Sequence, residues 1–324
     1  MTSATANTLS PAHLFHVGDT IAVVTGGGTG LGLMMAKALA SGGAKVYILG
    51  RRLDVLQKAA QDAMAEINGN NSTGSGSGSS SGSGSIVPLQ CSVTSKEELQ
   101  RAVDHIAAQD AKIHLLINNA GIATPNLEPH PQRPNPKWDV KRMRDFWFNK
   151  AFEDYAALFE TNTTAALQTS FAFLELLDKG NQARQAEMEA ARGPSYHGPH
   201  DFVRSQIIAM SSVGGFGRDN SAFCYGASKA GTTHMMKNLS TYLIPWKIRV
   251  NVVAPGYFNT EMMGTFYKST RGKLPRSIAP EERFGEMQDI GGTIVWLASR
   301  AGSYCNGNVL LIDGGYCAAH TATY

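Results

Sequence analysis

The sequence predicts a single-domain α/β protein of the doubly wound Rossmann type, a seven-stranded parallel sheet with helices on both faces. Two observations carry this expectation. Short, continuously apolar, β-rich runs alternate with longer helical patterns, as strands buried on both faces require. A glycine-rich turn then joins the first of these runs directly to a helical pattern. At 324 residues the chain can bury about three quarters of its unfolded surface, and one domain spanning 1–324 absorbs it all.

In order, the strand runs are Ile21–Thr25, Val46–Leu49, Ile86–Leu89, Ile113–Ile117, Gln206–Met210, Ile248–Val253 and Val309–Ile312. Three segments depart from the rhythm. Residues 69–85 are a Gly/Ser run that cannot bury apolar surface, and they read as a flexible loop insertion. That loop joins a helix to a strand, hence lies on the sheet edge opposite a ligand site. The stretch Asp178–Arg204 also leads from a helix into a strand and is placed at the same remote edge. Residues 125–149, with five prolines, Trp138 and Trp147, leave a strand end instead. This Pro-rich loop insertion either borders a substrate pocket or is a surface elaboration solvated by Lys137, Lys141, Arg142 and Arg144.

Composition excludes several classes. Charged residues are 17 % against a usual figure of about 25 %, and the formal net charge is +3 without a basic stripe, so nucleic acid is not an expected partner. The four cysteines, Cys91, Cys224, Cys305 and Cys317, are scattered, which suggests neither a metal site nor a disulfide framework and fits a reduced compartment. No apolar run is long enough for a signal peptide or a membrane span, and no presequence or peroxisomal tail is visible. The expected location is cytoplasmic.

The turn Thr25-Gly-Gly-Gly-Thr-Gly-Leu-Gly32 sits between the first strand and a helix over Leu31–Ala40. Missing side chains let its backbone approach a pyrophosphate, whose charge meets the free amides of a helix N-terminus. The second strand ends in Gly50-Arg51-Arg52 where an NAD site usually carries an acid for the ribose 2′-hydroxyl. A guanidinium suits a 2′-phosphate, so NADP(H) is expected over NAD(H); otherwise Arg51 and Arg52 merely solvate the next helix start.

Tyr225 and Lys229 are four apart in a helical run, on one face. The spacing alone recurs by chance in a chain with 10 tyrosines, yet the chemistry is coherent. An ammonium beside a phenol stabilises the phenolate and brings a group of pKa near 10 toward a working range. Ser211-Ser212 ends the fifth strand at the ligand edge, where a hydroxyl can hold the same substrate oxygen.

With these residues assembled, the sequence resembles the short-chain dehydrogenase/reductase family over nearly its whole length. Thr25–Gly32 matches the family's T-G-x-x-x-G-x-G turn, and Asn118-Asn119-Ala120-Gly121 its N-N-A-G. Asn162 matches the helix asparagine, Ser212 lies thirteen residues before Tyr225 as the family serine does, and Pro255-Gly256 with Thr260 matches P-G-x-x-x-T. The resemblance implies Tyr225 as general acid/base, Lys229 on the nicotinamide ribose and lowering the Tyr pKa, Ser212 orienting substrate, and Asn162 holding a relay water.

For the cofactor, the resemblance implies Gly26, Thr29, Gly30, Leu31 and Gly32 at the pyrophosphate, Arg51 and Arg52 at the 2′-phosphate, and Asn119, Ala120 and Gly121 beside the adenosine ribose. Pro255, Gly256, Phe258 and Thr260 fall at the carboxamide. Ser92 stands where members carry an adenine-binding Asp, and Thr29 is uncharged where some NADP users carry a cation. No metal ligand set is implied. Members associate as homotetramers or homodimers through the two helices beside the site and the C-terminal region, and the same is expected here. Glu261–Arg276 occupies the family's substrate lid; Met262, Met263, Phe266 and Tyr267 give it either an apolar substrate face or an ordinary packed stripe.

The expected function is hydride transfer between NADP(H) and a carbonyl/secondary alcohol pair. Phe216, Phe223, Tyr257 and Phe258 near the site suggest an apolar ketone such as a 3-oxoacyl chain. The alternatives are a 2,4-dienoyl-CoA or enoyl-type reductase, from the wording of the glycine turn, and a non-catalytic dinucleotide-binding redox sensor.

Overall fold

A computed structural model of the chain describes residues 9–73, 84–123, 137–192, 202–218 and 222–324. In chain order these form α1 (Pro11–Leu14), β1 (Ile21–Thr25), α2 (Gly30–Ser41), β2 (Lys45–Gly50), α3 (Leu53–Thr73), β3 (Ser85–Gln90), α4 (Lys96–Asp110) and β4 (Leu115–Asn118). There follow α5 (Val140–Phe148), α6 (Phe152–Phe159), α7 (Ala165–Ala172), α8 (Leu174–Arg192), β5 (Gln206–Met210) and α9 (Phe223–Tyr242). The chain continues through β6 (Arg249–Pro255), α10 (Gly264–Thr270), α11 (Met287–Ala298), β7 (Val309–Ile312) and α12 (Tyr316–Ala319). The seven strands form one sheet in the order β3-β2-β1-β4-β5-β6-β7, every pairing parallel.

Strand side chains alternate between two cores. Ala22, Val24, Val46, Ile48, Leu115, Ile117, Ile208 and Met210 join α2, α3 and α11 on one face. Val23, Tyr47, Leu49, Leu116, Ile207 and Ala209 join α4, α7 and α9 on the other. The period of two divides each apolar run equally, which is why the strands read as continuous. β1 lies between β2 and β4, so the connections leaving its two neighbours diverge to opposite faces and open a crevice at the carboxyl edge.

Two expected loops are shorter than the composition suggests. Helix α3 continues to Thr73, and Ser85 already pairs with Lys45, so the Gly/Ser insertion loses both ends of 69–85; its middle, 74–83, lies outside the described residues. Buried Leu56, Ala59, Ala60, Ala63 and Ile67 anchor α3, and packing of this kind outweighs the poor helix propensity of its last turn. Within 125–149, residues 140–148 are helical, started by Asp139, whose carboxylate accepts the Arg142 amide at 2.8 Å. Residues 125–136 lie outside the described residues.

The edge opposite the crevice is closed by buried polar groups. The Arg249 guanidinium donates to Gln206 Oε1 at 2.7 Å and to the carbonyls of Gly302, Cys305, Arg204 and Leu297. Nearby, His114 Nδ1 accepts the Ile21 amide at 3.0 Å, and burial, then Arg184 and Lys112, push its pKa down to about 3. A neutral buried imidazole stabilises the fold only while the unfolded chain's imidazole is also neutral, so stability falls as pH drops from 6.5 toward 3. At pH 5 this amounts to about 2 kcal/mol. In His114→Asn, whose side-chain oxygen can still accept the Ile21 amide, denaturant unfolding should lose about 2 kcal/mol less between pH 7 and pH 5 than in the native chain. An equal loss in both would show that His114 is not the group responsible.

Candidate active site

The crevice is shaped first by the turn after β1. Gly26 has φ +63°, a conformation L side chains avoid, and a Cβ on Gly32 would stand 2.2 Å from the Gly26 carbonyl. Thr25 is the centre of the surrounding network. Its hydroxyl donates to the Ile117 carbonyl at 3.3 Å and accepts the amides of Asn119 and Ala120, each at 3.0 Å. The Asn119 amide closes the same knot, donating to the carbonyls of Thr25 and Gly26. Asn119 and Ala120 therefore lock the ends of β1 and β4 together, a role that spacing does not reveal.

Helix α2 begins at Gly30 with no side-chain cap from Thr29, leaving its N-terminal dipole toward the crevice. A cleft of about 650 Å³ opens there, between Gly30, Leu33, Met34 and Lys37 on one side and Asn259, Thr260, Gly264, Lys268 and Met287 on the other. Leu31 sits partly buried against the core beside it. Arg51 and Arg52 are exposed at the end of β2, with no ion-pair partner among the described residues. Ser92 follows β3, its hydroxyl bonded to Thr94 Oγ1 at 3.0 Å. An uncapped helix start, a side-chain-free turn and two unpaired guanidiniums fit a dinucleotide phosphate set.

The residues after β6 contribute unequally. Gly256 is required by the sheet: its Cβ would lie 2.8 Å from Asp313 Cα. The Phe258 ring is buried in the main core, so only its backbone can face a ligand, whereas Thr260 lines the cleft. In the expected lid, Phe266 and Tyr267 pack on Phe284 with ring centroids 5.9 and 5.0 Å away, in a small core of their own with Leu274 and Ala279. Of the two readings for these rings, the packed stripe is the one observed. Phe223 is 61 % exposed and meets the Trp147 ring at a tilt, with centroids 5.0 Å apart.

At the ends of β5 and β4 the acid/base residues converge on α9. Ser211 and Ser212 divide the work: Ser211 Oγ donates to the Lys229 carbonyl at 3.1 Å, while Ser212 Oγ accepts the Gly214 amide at 3.1 Å. A Cβ on Gly214 would stand 3.4 Å from Ser212 Oγ and 3.3 Å from the Tyr225 ring, so the two side chains flank one small residue. Burial raises the Tyr225 pKa, and the neighbouring Ser212 hydroxyl acts the other way. The Lys229 ammonium is fully enclosed, donates to the Met210 carbonyl at 2.9 Å, and is lowered by burial to about 8. Lys229, which the resemblance casts as lowering the Tyr225 pKa, is not among the groups that shift it here. Desolvation dominates both groups.

Asn162 lies in a π-helical turn, Glu160–Thr164, between α6 and α7. Its Oδ1 accepts the Ile122 amide at 2.8 Å, and its Nδ2 donates to the Ile122 carbonyl at 2.9 Å and to Ser228 Oγ at 3.0 Å. The amide so stitches the loop after β4 to α9, and Thr232 donates to the Asn162 carbonyl. A methyl on Gly121 would stand 3.0 Å from Asn162 Oδ1 and 3.3 Å from Lys229 Nζ, so the three share one small space. Ser228 and Thr25 were not singled out from sequence; the small residue before Lys229 and the threonine opening the glycine turn were the available signals. No group of three His, Cys, Asp or Glu among the described residues is placed to hold a metal. No helix among them is long and apolar enough to cross a membrane.

Residues 20–188 match the family described as short chain dehydrogenase, and residues 195–317 one described as enoyl-(acyl carrier protein) reductase. The chain is 62 % identical over 318 residues, 98 % of each chain, to the short-chain dehydrogenase/reductase VdtF of Byssochlamys spectabilis. This chain belongs to the short-chain dehydrogenase/reductase family. Among more distant members, the 3-oxoacyl-[acyl-carrier-protein] reductase FabG of Escherichia coli is 28 % identical over 295 residues, covering 91 % of this chain and 96 % of that one. A short-chain type dehydrogenase/reductase from Mycobacterium marinum superposes with a TM-score of 0.71 at 25 % identity, covering 95 % and 99 % of the two chains. The Pseudomonas aeruginosa RhlG/NADP active-site complex shares the fold, with a TM-score of 0.69 at 24 % identity over 94 % of this chain and 98 % of that one. As a short-chain dehydrogenase/reductase, the chain is an oxidoreductase of a family that binds nicotinamide dinucleotides.

Burying the Lys229 charge opposes folding by about 3 kcal/mol, from a shift of 10.5 to about 8. The unfolded chain holds the extra proton between those two values, so the penalty is full below pH 8 and disappears as pH rises to 10.5. Lys229→Met should therefore melt no lower than the native chain at pH 7, with any advantage shrinking above pH 8. A variant markedly less stable at pH 7 would mean that the ammonium contributes more through its Met210 bond than burial takes away.

Proposed function

We propose that this oxidoreductase transfers hydride between NADP(H) and a carbonyl/secondary alcohol pair, the carbonyl belonging to an apolar ketone. One observation carries the reading: the Ser212 hydroxyl and the Tyr225 ring flank Gly214 together at the carboxyl edge, one helical turn from the enclosed Lys229 ammonium. Two hydroxyls so arranged can both meet one substrate oxygen. Bound NADPH would supply the hydride to the carbonyl carbon. Tyr225 would then give its phenolic proton to the developing alkoxide, while Ser212 holds that oxygen and keeps the phenol oriented.

Lys229 acts on the same proton from behind. Its hydrogen bond to Met210 uses one of three donors, leaving the others for a ribose hydroxyl and the phenolate formed by proton loss. Asn162 fixes Ile122 and Ser228, which support the crevice floor and α9, and a relay water would have to share its backbone carbonyl with the Thr232 hydroxyl. Gly26, Thr29, Gly30, Leu31 and Gly32 would cradle the pyrophosphate, with Arg51 and Arg52 on the 2′-phosphate. The unpaired state of both guanidiniums supports NADP(H) over NAD(H). Homodimeric or homotetrameric assembly and a cytoplasmic setting belong to the same proposal. The description attached to residues 195–317 supports a second reading, an enoyl-type reductase. The Ser212–Tyr225 pair favours the carbonyl reaction.

Thermal-shift titration separates the cofactors without a known substrate, because a ligand of the native state raises stability as RT ln(1 + [L]/Kd). NADPH should stabilise the native chain more than NADH, and Arg51→Ala should lose much of that difference; equal losses for both cofactors would remove the assignment. In Tyr225→Phe, NADPH-dependent ketone reduction should fall between about 100-fold and 10,000-fold with NADPH binding retained. Undiminished turnover would exclude Tyr225 as the proton donor.

A further inference from the structure

The connection from Ser212 to Tyr225 is held at its midpoint by a distant piece of chain. Val213–Gly215 form a short 3-10 turn, and the backbone then pairs antiparallel with residues beyond α12, Gly217 opposite Ala322. The Arg218 amide donates to the Thr321 carbonyl at 2.9 Å, and the Thr323 amide to the Phe216 carbonyl at 2.9 Å. Thr323 Oγ1 reaches the same Phe216 carbonyl at 3.3 Å. Tyr324 completes the attachment: its hydroxyl donates to the Val309 carbonyl of β7 at 2.8 Å, and its ring meets Phe216 edge-on at 5.4 Å. The loop between the two hydroxyl residues is thereby tied to the last strand of the sheet.

We propose that Thr321–Tyr324 is a positioning strap that holds the stretch following Ser212 so that its hydroxyl stays beside Tyr225, and that it governs proton transfer without governing dinucleotide binding. The effect on chemistry rests on the function proposed above; the anchoring itself does not. Residues 213–218 lead directly out of Ser212, whereas Tyr225 is held in the first turn of α9, so a shift of that stretch moves Ser212 relative to Tyr225. The glycine turn and Arg51 lie at the ends of β1 and β2 and share no hydrogen bond with the strap. Moving Ser212 away from the phenol also removes the influence that lowers the Tyr225 pKa, so the pH midpoint of turnover moves upward in either direction of reaction.

Three full-length variants and one shortened chain test this. A chain ending at His320 removes the strap; Thr323→Pro removes the amide donated to Phe216; Tyr324→Ala removes the β7 tie; Tyr324→Phe keeps the ring on Phe216. Ketone reduction should fall about tenfold in kcat in the first three, with a raised pH midpoint, NADPH affinity within about twofold, and partial recovery in Tyr324→Phe. Unchanged kcat and pH midpoint in folded Tyr324→Ala and Thr323→Pro would overturn the strap, as would NADPH affinity falling in step with kcat.

If the native chain reduces no ketone, amide hydrogen exchange over 213–218 in the NADPH-bound protein decides separately. Faster exchange there in the variants retains the anchoring and rejects only the proposed chemistry. Unaltered exchange rejects the strap.

Discussion

An ammonium group held out of water at the carboxyl end of β5 constrains everything around it. Lys229 meets the Met210 carbonyl on one side and the space above Gly121 on another, and burial has already drawn its pKa down to about 8. At neutral pH it remains largely charged, which a well-packed interior opposes. Such a residue persists where the surroundings over-determine it. Here the over-determination is visible: Asn162 and Ser228 fix the helix carrying Lys229, Ser211 and Thr233 bond its own carbonyl, and the two cores supply the stability that the charge subtracts. The strongest local conflict with good packing coincides with the candidate chemistry.

The same enclosure explains the protonation state of the pair. Burial pushes Tyr225 up and Lys229 down, each in the direction that disfavours its charged form, and Lys229 at about 8 still carries its proton at neutral pH. The phenol and the ammonium are thus both held by desolvation more than by any charged neighbour.

Much of the architecture was legible because it rests on local pattern. All seven apolar runs became strands, and the glycine turn fell between β1 and α2, since period, propensity and missing side chains act over a few residues. What was not legible depends on partners far away in sequence. Nothing near Thr25 announces that its hydroxyl will bind Ile117, Asn119 and Ala120. The π-helical turn at Asn162 is stabilised by Ile122 and Ser228, and no spacing within Glu160–Thr164 encodes it. Composition misjudged the ends of 69–85 for a related reason: a buried apolar stripe on α3 and an edge pairing on β2 decide where order stops.

The site therefore has two halves with separate supports. The dinucleotide half hangs on the knot between β1 and β4, where Thr25 and Asn119 fix the glycine turn. The acid/base half hangs on β5 and α9, with the loop between Ser212 and Tyr225 tied to β7. The two meet at Gly121, where the chain leaving β4 passes both Asn162 and Lys229. A side chain there would press on the Asn162 carboxamide and the Lys229 ammonium together, so glycine at this position keeps the two supports from colliding.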